Sequence, residues 1–302
     1  MFDHTSFNPA PGVIEQILPG VRRILARNPS PMTFRGTNTY VVGQGQVAVI
    51  DPGPKDAAHL AALLSALAGE TITHILVTHA HVDHSALAQD LSERTGAPIY
   101  AFGTAEAGRS PVMTELARQG LARGGEGVDT AFAPDHHLVD GMDIIGKDWR
   151  LTAHHTPGHM ANHMCFALGD TVFSGDQVMG WSTSMVSPPD GDLSAFMHSC
   201  EKMRRWNARL LLPGHGAPVT DPTRRLTDLI AHRNARTAQI KAALGATPAS
   251  IAAITRAIYP ELQPNMHPIA ARNVFAHLID LVSKNQAKAV PHLSETADFK
   301  RL

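Results

Sequence analysis

The chain has 302 residues, of which 43% are hydrophobic and 18 are histidine, and its formal net charge is −1. That length suits one sizeable domain with a small appendage, or one large sandwich, and the ordinary apolar content argues against a disordered chain. No apolar run approaches a transmembrane helix, so a membrane partner is not expected.

Met1 to Gly12 has neither the basic nor the apolar region of a secretory signal. Cys165 lies in a strand-like run and Cys200 in a helix-like one. Two buried free thiols fit a reducing, cytoplasmic setting. Charge is uneven: residues 224–302 carry 11 Lys and Arg against 5 Asp and Glu, whereas the part before them is acidic. Such an asymmetry points to two parts with different tasks.

In chain order, residues 13–25 and 39–50 read as strands, the second with a Gly-rich hairpin in its middle. Asp51-Pro52-Gly53 follows, then a Lys55 to Ala68 helix. Asp51 either caps that helix or orients the histidine loop further on, and the second role is favoured. Residues 72–78 form a buried strand that ends in His79-Ala80-His81-Val82-Asp83-His84. Residues 85–94 then read as a helix closed by Gly96. Residues 103–135 are long, polar and Gly-rich, with a helical patch over 111–122, and loops of that length often serve as lids. His136 and His137 near its end read as surface residues, and His154 and His155 as alternating core and surface on a strand. Strands over 149–155, 165–168, 171–173 and 209–212 and a helix over 193–207 complete this part. Three of these strands run into Thr156-Pro157-Gly158-His159, Ser174-Gly175-Asp176 and Pro213-Gly214-His215. The same device recurs: an apolar strand ends and a tight turn carries a candidate ligand. Strands in that number, interleaved with helices, favour two packed sheets with helices outside.

Imidazole nitrogen and carboxylate oxygen are the donors that borderline divalent metals prefer. His79, His81 and His159 would hold one ion, and Asp83, His84 and His215 another, with Asp176 bridging them. Two ions so bridged clamp a shared water and lower its pKa, so the expected reaction is attack of a bridging hydroxide on a carbonyl or phosphoryl centre. Asp176 would hold that water in line and relay its proton, and Asp83 counts with it among the expected catalytic residues. His163 would support the site or bind an oxygen of the transition state. Two zinc ions are the expected cofactors, and iron and manganese suit the same donors. Met179 and Trp181 would line an apolar pocket or pack in the core, and Tyr40 reads as sheet core.

The motifs HAHVDH, TPGHM, SGDQV and PGHG, in that order, resemble the metallo-β-lactamase superfamily. The resemblance spans roughly residues 13–220 and implies an αββα sandwich with a dinuclear site at one sheet edge. Cys200 stands far from every ligand motif and a bridging Asp176 is present, which disfavours antibiotic hydrolysis and matches branches such as glyoxalase II, lactonases and RNA-processing nucleases. RGTNTY at 35–40, TPGHMANHM and His232-Arg233-Asn234 resemble the β-lactamase-like protein 2 group. That resemblance implies a winged-helix-like C-terminal domain and either single-stranded RNA cleavage or thioester hydrolysis. The animal nuclease would carry acidic residues at Met160-Ala161-Asn162, and their absence counts against the RNA role.

The expected division is a catalytic domain over 1–220 and a helical domain over 221–302. Asp221-Pro222 caps a helix over 223–244, two more follow over 250–258 and 269–284, and a short Ala/Val segment could form a wing. Arg224, Arg225, Arg233, Arg236 and Lys241 sit on the first of these helices. They could contact phosphates. Without interleaved aromatics the preferred reading is a solvated face and a subunit interface, which leaves a homodimer open. The expected function is hydrolysis of a carboxylic ester or thioester, with single-stranded RNA as the alternative. A lactonase, a β-lactamase and an inactive metal- or nucleic-acid-binding protein rank behind both, the inactive metal module because the site leaves coordination positions open.

Overall fold

The computed structural model describes residues 6–122 and 127–302. The first residues of the Met1 to Gly12 segment, and residues 123–126 of the long polar region, lie outside the described residues.

Seven strands form one sheet in chain order: β1 (Ile14–Leu18), β2 (Val21–Leu25), β3 (Asn38–Val42), β4 (Gln46–Ile50), β5 (Thr71–Leu76), β6 (Ile99–Ala101) and β7 (His136–His137). The expected strand over 13–25 is a hairpin, because Pro19-Gly20 turns the chain and Gly20 takes φ +73°. A second sheet holds β8 (Met142–Ile145), β9 (Arg150–His155), β10 (Met164–Leu168), β11 (Thr171–Gly175) and β12 (Leu210–Pro213), with β11 and β12 parallel.

Period-two patterning explains how the sheets stack. Tyr40, Val42, Ala48 and Ile50 face Met164, Phe166, Phe173, Leu210 and Leu212 across the interior. Their neighbours Val41, Val47 and Val49 point outward onto helix residues such as Leu91. Cys165, Val172 and Leu211 do the same on the other side, against Phe196, Cys200, Leu226 and Leu229. Phe173 is fully enclosed, and Phe173→Ala would cost about 3–5 kcal/mol.

The helices are α1 (Ala57–Ala66), α2 (Val82–Ser85), α3 (Ala88–Thr95), α4 (Pro111–Arg118), α5 (Leu193–Arg204), α6 (Pro222–Ala243), α7 (Ile251–Ile258) and α8 (His267–Ser283). Helix α1 is capped by Asp56, whose Oδ1 accepts the Ala58 N–H at 2.8 Å, so Asp51 is released for the other role expected of it. The helix expected over 85–94 starts earlier, as the short turn α2, and α3 ends where Gly96 adopts φ +74°. Within the region over 103–135, the helical patch is not part of a free lid. Met113 and Leu116 of α4, with Leu121, are buried in the core of the C-terminal unit.

That unit is a winged helix: α7, α8 and a sheet of β13 (Ala249–Ser250), β15 (Asp298–Arg301) and β14 (Ala287–Val290). The expected division near 220 falls just before α6. Leu226 and Leu229 of α6 pack on the second sheet, whereas Ile240 packs among winged-helix residues such as Ile254, Leu278 and Phe299. One 22-residue helix thus joins the two units. Among the described residues no helix is long and apolar enough to cross a membrane.

Candidate metal centre and the cavity beside it

Four strand ends deliver the site. The turn after β5 carries His79, His81, Asp83 and His84; the turn after β9 carries His159; Asp176 and His215 follow β11 and β12. Backbone bonds lock these ends together. Asn38 N donates to Gly214 O at 2.7 Å, Gly214 N to Gly175 O at 2.9 Å, and Met164 N to Thr78 O at 2.7 Å. Tyr40 does more than fill the core, since its hydroxyl donates to Pro213 O at 2.8 Å. Gly175 and Gly214 permit the convergence: a Cβ at Gly175 would stand 2.6 Å from His163 Nε2, and one at Gly214 2.5 Å from Asp176 Oδ1.

The seven expected ligands are all buried and all come together. His79, His81 and His159 offer donor atoms within 4.8 Å of one another, as do Asp83, His84 and His215, and also His79, His84 and Asp176. His81 Nδ1 lies 3.0 Å from both His79 Nε2 and His159 Nε2. His215 Nε2 lies 3.3 Å from His84 Nε2, 3.1 Å from Asp83 Oδ2 and 3.3 Å from Asp176 Oδ2.

The opposite ring nitrogens fix the orientation. His84 Nδ1 meets Asp51 Oδ2 at 2.9 Å, His159 Nδ1 meets Met185 O at 2.7 Å and His215 Nδ1 meets Gly36 O at 3.1 Å. Each acceptor requires an N–H, which leaves the Nε2 lone pair aimed into the site. Asp51 also accepts the Thr78 N–H and hydroxyl at 2.7 and 2.8 Å, and it does so from φ +50°, a strained setting for a non-glycine residue. Its expected role toward the histidine loop is therefore visible in its bonds.

Electrostatics tests whether cations fit here. Burial lowers the imidazoles, taking His81 to about 3 and His79 well below the ordinary value, with neighbouring imidazoles adding to the effect. Burial acts the same way on His84 and His215, but Asp83 and Asp176 outweigh it and hold His215 at about 10 and His84 well above its usual range. Both carboxyls are held low by those same histidines against the effect of burial. The cluster demands positive charge, and protons meet that demand only in part. Asp83 Oδ1 and Asp176 Oδ1 are buried without a hydrogen-bond partner, and three pairs of imidazole nitrogens face each other at 3.0–3.3 Å. These donors fit divalent metal ions.

His163 is placed differently from the other expected site residues. It is fully buried, its Nδ1 meets Thr156 Oγ1 at 2.9 Å, and its Nε2 accepts the Asp176 N–H at 3.2 Å. Both nitrogens are engaged within the protein, Nε2 on the backbone of Asp176, a placement that suits the expected support of the site. His154 and His155 stand apart from the cluster, stacked on Trp206 and Phe102.

A cavity of about 500 Å³ opens onto His81, Asp83, His159, Asp176 and His215. Its near wall is Met32, Met179, Trp181 and Met185; its far wall is Tyr259, Leu262, Met266 and Ile269 of the winged-helix unit. Apart from Met179 and Trp181, sequence reasoning missed these walls, because no spacing rule links residue 32 to residue 269. It also misread the basic residues of α6. Arg225 donates to Met179 O and Ser182 O, Arg233 to Ser184 O, and Arg236 lies 4.1 Å over the Tyr259 ring. They are internal ties between α6, the 179–185 loop and the winged helix, not a solvated face. Only the ends of the series, Arg224 and Lys241, are exposed.

Comparison with known proteins agrees with this geometry. Residues 32–215 match the metallo-beta-lactamase superfamily and residues 250–292 the beta-lactamase associated winged helix domain. The chain is 30% identical over 299 residues to the beta-lactamase-like protein 2 homolog of Drosophila melanogaster, covering 94% of each. It is 32% identical to the atrochrysone carboxyl ACP thioesterase of Passalora fulva, over 76% of this chain and 63% of that one. A beta-lactamase domain protein from Burkholderia ambifaria superposes with a TM-score of 0.79 at 21% identity, over 100% of this chain and 97% of the other. The chain therefore belongs to the metallo-β-lactamase superfamily, as a hydrolase with a His and Asp cluster for divalent metal ions and a C-terminal winged helix.

Proposed function

We propose that the chain hydrolyses acyl thioesters at a two-ion centre, with zinc the preferred metal. His79, His81 and His159 would hold one ion and Asp83, His84 and His215 the other, with Asp176 within reach of both groups. Two such ions, when bound, supply an activated water and an electrophile for the thioester carbonyl. Iron and manganese suit the same donors. The protein's own groups do the rest. Asp176 orients the attacking water and takes its proton. His163 fixes the Asp176 backbone from behind, and Asp51 fixes His84. In this reading residues 1–220 carry the chemistry and 221–302 complete the substrate cavity. Two buried free thiols, Cys165 and Cys200, support a reducing compartment.

One observation carries the choice of substrate: the cavity that opens on the cluster is walled by methionine, tryptophan, leucine and isoleucine side chains. Such a wall suits an acyl chain. A groove for single-stranded RNA needs cations and aromatic rings free to meet phosphates and bases. Arg225 instead donates to the backbone carbonyls of Met179 and Ser182. The thioesterase name carried by the Passalora fulva relative supports the same choice.

The test is turnover of a panel of acyl thioesters and of a labelled single-stranded RNA by the zinc-loaded protein. Thioester hydrolysis is expected, with a loss on the order of 10³-fold in Asp176→Ala. RNA cleavage that is lost in the mutant, without thioester turnover, would overturn the reading.

A further inference from the structure

The lining of the cavity is not apolar throughout. Arg233 reaches it from α6 and is only 2% exposed. Its Nη1 donates to Asn273 Oδ1 at 2.7 Å and its Nη2 to Ser184 O. Its Nε is buried without an acceptor. Among the described residues no carboxylate forms an ion pair with it. Arg23, the other arginine buried among the described residues, is paired with Glu15 at 2.5 Å.

A buried charge without a counter-ion is costly, and natural proteins rarely keep one without use. The Phe196 ring, 5.3 Å from the guanidinium, compensates only in part. Burial pushes Arg233 down to about 10, and the nearby Arg236 acts in the same direction. The metal cluster and this guanidinium line the same cavity, together with apolar side chains.

We propose that the cavity takes an acyl group bearing a carboxylate remote from its reacting carbonyl, and that Arg233, with Asn273 beside it, binds that carboxylate. Leu262, Met266 and Ile269, which line the same cavity, would meet the apolar part of that acyl group. A guanidinium presents a planar fork of donors that matches a carboxylate, and a substrate anion supplies the charge that the fold does not. The inference rests on the acyl-thioester reading of the metal centre and narrows it to carboxylated acyl groups.

The test uses binding rather than turnover, so the two readings fail separately. Non-hydrolysable thioether analogues are made in matched pairs, one ending in a carboxylate and the other in its methyl ester. Dissociation constants are measured by calorimetry on the zinc-loaded wild type, Arg233→Gln and Arg233→Lys. The wild type should prefer the carboxylate by about tenfold or more. Arg233→Gln should lose that preference, and Arg233→Lys, which keeps the charge but not the fork, should show a reduced one. Equal binding of both analogues by the wild type would overturn the proposal, whatever the variants do. So would an undiminished preference in Arg233→Gln or Arg233→Lys, since the carboxylate would then be sitting on the metal ions. Should Arg233→Gln fail to fold, the wild type and Arg233→Lys decide. Thioester turnover without a carboxylate preference would remove this inference alone. A preference without thioester turnover would remove the thioester reading and leave Arg233 as an anion site.

Discussion

The cluster of His and Asp side chains stands on strand ends, whereas the cavity beside it is walled by loops and helix corners. Every candidate ligand is buried, and several are held by a second bond from behind, such as Asp51 to His84 and Gly36 O to His215. On the cavity side, Met266 and Ile269 are each 42% exposed, and the near wall depends on arginines of α6 that tie it down. Rigid strand ends suit chemistry that tolerates little displacement. A wall contributed by a second unit can change its side chains without disturbing that geometry. On the proposed function, reaction type and substrate choice would be carried by different parts of the chain.

Breaking the support behind the ligands should have the larger effect. Asp51→Ala removes the partner of His84 Nδ1 and two bonds to Thr78. Metal affinity, read by competition with a chelator, should fall about 10–100-fold. An unchanged affinity would mean that the strand ends alone fix the site.

The winged-helix side should show an acid sensitivity of its own. His277 on α8 meets Thr237 Oγ1 at 2.8 Å, and burial, aided by Arg233, Arg236, His232 and Lys284, lowers it to about 3. The folded state therefore disfavours the proton that the unfolded state binds below about pH 6.5. Its contribution to stability is complete above that pH and is lost as pH falls through the window toward 3. The slope should approach about 1.4 kcal/mol per pH unit at most. Urea unfolding of His277→Gln against wild type at several pH values should show a flatter dependence in the variant. Identical slopes would remove His277 from the account.

A smaller effect is expected from the near wall. Arg225→Ala frees Met179 O and Ser182 O without touching a ligand. KM for an acyl thioester should rise about three- to tenfold with kcat changed less. A fall in kcat as large as that caused by Asp51→Ala would show that the two regions are not separate.

The ligand cluster was legible in the sequence because each ligand follows an apolar strand at short range, and a strand end constrains where the next few residues lie. His79, His81, Asp83, His84, His159, Asp176 and His215 meet for that reason. Helix α6 was legible from its cap, with Asp221 accepting from Arg224 N as expected, whereas the cap of α7 is Ser250, which accepts from Ala253 N, and not the Thr247-Pro248 pair. What failed was information about opposite faces. The charge of Arg225 and Arg233 read as solvated, because periodicity along α6 does not reveal the carbonyls of the 179–185 loop across from it. The long segment before β7 read as a lid, because its polar residues concealed Met113 and Leu116, which anchor α4. Backbone acceptors such as Met185 O and Gly36 O leave no signal in residue identity at all.

The division of labour is tested most directly by filling the cavity and leaving the metal centre intact. Ile269 lines the far wall, is partly exposed, and belongs to no core cluster described above. We would measure kcat/KM of zinc-loaded wild type and Ile269→Trp over thioesters of increasing acyl length. The account predicts an unchanged value for the acetyl thioester and a loss of about tenfold or more for long acyl groups. A uniform loss across the series, or none for the longest chains, would contradict it.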